Sequence, residues 1–251
     1  MKFAGLVEYD GAEFAGWAVQ PGLRTVEGTL SEALATVLRG PVKMSVAGRT
    51  DAGVHASGQV VSFSVDTELS PDLISYKVTA VLPKDLAMRR CVAVWEGFDA
   101  RWDARNRRYV YRILNSEIRS PLNRNASNYI ARPLDFELLQ RAAELVIGEH
   151  DFRAFTPSKS YHLRFERTVT ESRWSRDGDL LTYHVAANSF LHGMVRTLIG
   201  TMLEIADGRR DPASFERLLR GGVRSEAGPA APSRGLTLVA VGYDQDLWRS
   251  E

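Results

Sequence analysis

One short run in the 251-residue sequence gathers a cation, a carboxylate and a titratable ring among glycines: Gly48-Arg49-Thr50-Asp51-Ala52-Gly53-Val54-His55-Ala56-Ser57-Gly58-Gln59. These are the groups that ligand binding and proton transfer draw on. Its glycines permit tight turns and a close approach by a ligand, and the run is longer than a hairpin between its flanking strands requires. The plainer reading is a polar loop whose Asp closes a local side-chain to backbone turn. A metal site is not expected, because Asp51 and His55 with no further His or Cys nearby do not make a ligand set. Neither G-x-x-x-x-G-K-[ST] nor G-x-G-x-x-G occurs, so a nucleotide cofactor has no support.

A second segment, Arg101 to Arg124, holds seven arginines (101, 105, 107, 108, 112, 119 and 124) against two acids, Asp103 and Glu117. Trp102, Tyr109 and Tyr111 interleave with them, and guanidinium groups with flat rings suit phosphate backbones and unstacked bases. The competing reading is a solvated arginine face whose tyrosines serve strand packing. The whole chain has 32 basic and 31 acidic residues, net +1, which gives no bulk sign of a nucleic-acid partner. Without this segment's seven arginines and two acids, 25 basic and 29 acidic residues remain, net −4, so the positive charge is concentrated in one strip. A third segment is an apolar helix expected from an Asn188 cap, with His192 and Arg196 four residues apart. Such an arginine is most often simply exposed, but it could pair with a loop carboxylate such as Asp51.

Hydrophobic periodicity supplies the elements that must position these groups. Strands near 3–9, 42–46, 61–65 and 86–95 and helices from Val26 and Pro71 give the order β-α-β-β-α-β. Strands near 109–114, 168–174, 180–186 and 236–243, helices from Asp135 and Asn188, and an extra helix at Asp211-Pro212 repeat it. The expected class is α+β: two ferredoxin-like units, residues 1–103 and 104–251, joined into one extended antiparallel sheet with helices on one side and a central cleft. Hydrophobic content of 44% and charged content of 25% suit a folded globule. No apolar run nears the roughly 18 residues of a membrane span, and the N-terminus is unlike a signal peptide, so a cytoplasmic protein is expected. The lone Cys91 sits in an apolar run that reads as a buried strand.

Taken together and in order, five blocks resemble the TruA family of tRNA pseudouridine synthases. They are Tyr9-Asp10-Gly11-Ala12-Glu13-Phe14-Ala15-Gly16-Trp17, then Gly48 to His55, Arg108-Tyr109-Val110-Tyr111, Asn188 to Arg196, and Gly235-Leu236-Thr237-Leu238-Val239. The resemblance implies an isomerase that converts uridine to pseudouridine at positions 38, 39 and 40 of the tRNA anticodon stem-loop, as a homodimer without metal or organic cofactor. Asp51 matches the family's essential aspartate, Tyr109 the tyrosine packed on the target base, and Arg196 the cation paired with the aspartate. Arg49 matches an arginine that helps hold the nucleotide out of its stack, Leu238 an apolar position near the base, and His55 closes the same motif. Arg105, Arg107 and Arg108 are the expected RNA-binding cations. The chain departs from the family's usual Gly-Trp-Gln at Ala18 and from the Asn that usually follows the helix arginine at Thr197.

Two other classes compete with this reading. β-α-β-β-α-β is also the order of the RNA recognition motif, but no K/R-G-F/Y-G/A-F-V-x-F/Y run is present. An aspartate-dependent hydrolase would want a second carboxylate or a metal beside Asp51, and the loop offers neither.

Overall fold

The computed structural model describes residues 1–159 and 163–248. By their internal contacts these fall into two units, Met1–Arg107 with the segment from Thr237 onward, and Arg108–Leu236.

The first unit runs β1 (Lys2–Tyr9), α1 (Val26–Leu38), β2 (Met44–Val46), β3 (His55–Ser64), α2 (Pro71–Val81) and β4 (Leu86–Val94), the β-α-β-β-α-β order that the periodicity predicts. Thr25 caps α1 by accepting from the Gly28 N–H, and Ser70 caps α2 by accepting from the Leu73 N–H, with Pro71 at its first position. The strands lie in the order β4-β1-β3 with β2 on β3, the ferredoxin-like arrangement. Facing pairs such as Phe3 and Phe63, stacked at 5.7 Å, fill the core beneath them. Cys91 is buried in β4, and burial pushes its thiol up to about 12.

The last strand, β10 (Leu236–Gly242), runs parallel to β3, pairing Thr237 with His55 and Leu238 with Ala56. β1 occupies one edge of β3 for nearly its whole length. On the other edge β2 covers only Val61 to Phe63, which leaves peptide groups at the start of β3 that β10 pairs. Val241, Tyr243 and Trp248 then pack on a small core of Ala4, Ala47, Val60, Phe98 and Ala100. By internal contacts the last strand groups with the first unit, although in sequence it closes the second series; periodicity identifies a strand but not the edge it will cover.

The second unit contains β5 (Asn106–Asn115, beginning at the end of the first unit), β6 (Asn128–Ile130), α3 (Phe136–Glu144), β7 (Gly148–Asp151), β8 (Glu166–Asp177), β9 (Leu180–Ala187), α4 (Met194–Ala206) and α5 (Pro212–Leu219). Its strands lie in the order β5-β9-β8-β7, with β6 parallel on β5. The architecture is thus α+β, but the pairing is mixed rather than wholly antiparallel, since β10 on β3 and β6 on β5 are both parallel. β6 and β7, three and four residues long, are too short to carry a periodic signal.

The helix expected from Asn188 begins at Met194. Asn188 does not cap it; its Oδ1 accepts from the N–H groups of Thr168 (3.2 Å) and Ser189 (2.8 Å), fixing the turn after β9. α4 is buried nearly all round. The 227–231 segment lies directly on it, with the Gly228 N–H donating to Thr201 Oγ1 (3.0 Å) and the Ala231 N–H to Arg196 O (2.9 Å). A Cβ at Gly200 would collide with the Pro229 carbonyl. Gly200→Ala should therefore cost about 1–3 kcal/mol in urea unfolding by forcing helix and segment apart. Gly40→Ala, whose added Cβ would meet nothing within 4 Å, should stay close to wild type in the same measurement.

Candidate active site

The loop between β2 and β3 is held from three sides. The N-terminal segment after β1 passes beneath it: the Trp17 N–H donates to Thr50 O (3.0 Å) and the Gly53 N–H to Phe14 O (3.2 Å). Gly16 makes this contact possible, because at φ +99° a Cβ would lie 3.0–3.2 Å from the Thr50 carbonyl, Ala52 N and Asp51 C. Within the loop the Val54 N–H donates back to Asp51 O (3.2 Å). From below, the buried Tyr9 hydroxyl meets Thr50 Oγ1 at 2.8 Å, and Gln59 Nε2 donates to Gly48 O at 2.7 Å. Burial pushes the Tyr9 phenol up to about 12, so it stays protonated through the ordinary working range.

The supporting segment is itself pinned. The Arg24 guanidinium lies 4.1 Å over the Phe14 ring and forks onto both Asp85 oxygens at 2.7 Å. This hydrogen bonding holds the Asp85 carboxyl below its usual range. At the other end, His55 Nδ1 sits 3.0 Å from the Gly11 N–H, which a neutral ring accepts, and 3.0 Å from Asp10 Oδ1, which a protonated ring would engage. Asp51 emerges half-buried from this frame, with Arg49 exposed beside it. Leu238, fully buried, stands opposite Ala56 at the start of β3, in the same unit as Asp51.

The second unit carries the aromatic and cationic groups. Tyr109 on β5 is 8% exposed and meets the Phe190 ring edge-on at 5.2 Å. Tyr111, on the same strand face, is fully buried and donates to Pro232 O at 3.0 Å. Burial pushes its phenol up, against the pull of nearby Arg196 and Arg234. Arg196, in the first turn of α4, donates through Nε to Ala231 O at 2.7 Å, which sets its side chain against the 227–231 segment. Among the described residues no group of three His, Cys, Asp or Glu side chains is placed to hold a metal ion.

Comparison with known proteins supplies the relatives. A tRNA pseudouridine synthase A of Stenotrophomonas maltophilia is 39% identical over 249 residues, covering 99% of this chain and 97% of that protein. The chain belongs to the tRNA pseudouridine synthase family. The tRNA pseudouridine synthase A of Xanthomonas campestris is 40% identical over 245 residues, covering 97% of this chain and 95% of that one. The family model described as tRNA pseudouridine synthase matches residues 142–244. Among solved structures, a chain of a Cbf5-Nop10-Gar1 complex aligns at 13% identity with a TM-score of 0.36, covering 96% of this chain and 60% of that one. That likeness decides nothing.

Of the side chains that the family resemblance singles out, the structure gathers Asp51, Arg49, His55 and Leu238 in the first unit and Tyr109 and Arg196 in the second. The basic strip is corrected at Arg107. Strand alternation turns that side chain inward with Tyr109 and Tyr111, at 9% exposure, where its guanidinium donates to the carbonyls of Ala47, Ala104 and Arg101. It ties the start of β5 to Ala47, the residue just after β2. Arg108 points the other way, is exposed and pairs with Glu171 at 3.3 Å, while Arg105 forks onto Asp244. His192 precedes α4 rather than sharing a helix face with Arg196.

Sequence reasoning missed Tyr9, Thr50, Gln59 and Phe190 as site residues. The available signal was Gln59, an amide immediately before Val60-Val61-Ser62-Phe63, because a polar group in a buried strand position demands partners. Arg107→Ala should lower stability by roughly 2–3 kcal/mol in urea unfolding, since it strips buried carbonyls of a charged donor. Arg108→Ala, losing only an exposed pair, should change it by less than about 1 kcal/mol.

Proposed function

We propose that the protein isomerises uridine to pseudouridine at positions 38, 39 and 40 of the tRNA anticodon stem-loop, with Asp51 as the reacting carboxylate. The observation that carries this reading is the clamped Asp51 loop within a chain that matches the family along almost its full length. The reaction breaks the bond from ribose C1′ to uracil N1 and forms one from C1′ to C5, releasing the C5 hydrogen as a proton while N1 gains one. Atoms and electrons balance without an oxidant or reductant. One carboxylate suffices, as a nucleophile toward sugar or base or as the base that takes a ribose proton.

The target nucleotide must leave its stack, at a cost of a few kcal/mol, and Tyr109 offers a ring on which the freed base recovers part of it. Phe190, edge-on to that ring, holds its orientation. The family resemblance gives Arg196 the part of the cation for the reacting aspartate, Arg49 that of keeping the nucleotide extruded, and Leu238 that of an apolar position near the uracil, which must turn without escaping. Arg105 and Arg108 meet the tRNA backbone, in a cytoplasmic homodimer that binds one tRNA across both subunits.

Tritium at uridine C5 of unmodified tRNA should be released on incubation with the protein, and its retention across several tRNAs would sink the enzyme reading. Asp51→Asn should abolish release while tRNA affinity falls less than about tenfold, or roughly 1.4 kcal/mol. Arg108→Ala should reduce the slope of log affinity against log salt by about one phosphate contact. An unchanged slope would return Arg108 to a solvated surface pair with Glu171.

A further inference from the structure

Beneath the Asp51 loop, Gln59, Tyr9 and Thr50 form a hydrogen-bond chain whose direction follows from proton counting. One Gln59 Nε2 hydrogen goes to Gly48 O at 2.7 Å and the other faces the Tyr9 hydroxyl oxygen at 3.4 Å. Gln59 Oε1 accepts from the Val60 N–H at 3.2 Å. The Tyr9 oxygen is therefore an acceptor toward Gln59, and its single proton is left for Thr50 Oγ1 at 2.8 Å. Thr50, filled as an acceptor on that side, retains its own hydroxyl proton for donation, one residue before Asp51.

A buried set of this kind is costly if it serves packing alone. Tyr9, Thr50 and Gln59 are 3%, 8% and 0% exposed, and an apolar trio of similar volume would fill the space without desolvating three polar groups. What the polar trio adds is direction. It grips the loop at Gly48 and at the Thr50 side chain, while the Trp17 N–H grips the Thr50 carbonyl, so the residues before Asp51 are held through three different atoms.

We infer that Tyr9 is a positioning residue for the isomerisation, which through Thr50 fixes the peptide that aims the Asp51 carboxylate. The assignment rests on Asp51 being the reacting group. Tyr9→Phe removes one oxygen and keeps the ring against Phe14 (6.5 Å) and Trp17 (6.2 Å), so the variant should fold.

The test is steady-state tritium release from C5-labelled tRNA, run beside urea unfolding. Tyr9→Phe should lower kcat about tenfold with KM for tRNA within twofold. Thr50→Val should match it, and Thr50→Ser, which keeps the oxygen, should recover most of that loss. The Tyr9→Phe, Thr50→Val double variant should be no slower than either single one, because both cut the same chain. Unchanged kcat in Tyr9→Phe, additive losses, or losses that only track the unfolded fraction would overturn the inference while leaving the proposed function standing. A wild-type protein that releases no tritium would sink both.

Discussion

The pairing of β3 is the constraint on which the first unit depends. β1 covers one of its edges, while β2 and β10 divide the other, so the strand carrying the Asp51 loop at its start is braced along both sides. A strand paired this way has little freedom to slide, because a register slip of one residue would exchange the side chains of its two faces, both of which are buried from Gly58 to Phe63. The loop therefore begins from a fixed point. Its far end is as well defined, since Ala47 pairs back to Val60 and its carbonyl receives the Arg107 guanidinium. That the chain returns for β10 after passing through the whole second unit is explained by what would otherwise stay unpaired at the start of β3.

The arginines show why a count of charges is a poor guide to what they do. Seven of them lie between residues 101 and 124, and the surplus of +5 is real. Strand alternation then sorts neighbours into opposite roles. Arg107 is spent inside, on backbone carbonyls, and Arg108 outside, where screening and a nearby carboxylate weaken its grip on any one partner. Arg105 and Asp244 fasten the C-terminal segment beside β10. A basic strip in sequence is thus part mortar and part surface.

What the sequence made legible was whatever has a period or a cap. Both β-α-β-β-α-β series, the Ser70-Pro71, Asp135 and Asp211-Pro212 helix starts, and the face shared by Tyr109 and Tyr111 could all be read from spacing. Asn188 misled because Asn serves turns as readily as caps, and here its carboxamide closes the turn after β9 while Gly193 opens the helix. The partner of β10 and the direction of Arg107 were hidden for another reason. Each depends on which peptide groups elsewhere lack a partner, and no local pattern records that. The motif around Asp51 identified the loop but not the groups that hold it: Tyr9 and Trp17 lie 42 and 34 positions away along the chain, and Gln59, which ends the same run, shows its part only once its strand position is known to be buried.

A loop that must aim a single carboxylate faces an entropic difficulty, because each freely turning residue adds roughly 1–2 kcal/mol to the cost of reaching the productive geometry. Folding can meet that cost before substrate arrives only if the loop's polar groups are satisfied by the protein rather than by water. Here the Gly48 and Thr50 carbonyls, the Thr50 hydroxyl and the Gly53 and Val54 amides all have such partners, while Arg49 is left exposed in their midst. The departure at Ala18 falls just beyond this set: Trp17 already donates its N–H to Thr50 and accepts from the Glu27 N–H, and neither bond uses the next side chain. A shorter residue at position 18 leaves both of these backbone bonds to the Asp51 loop's support intact.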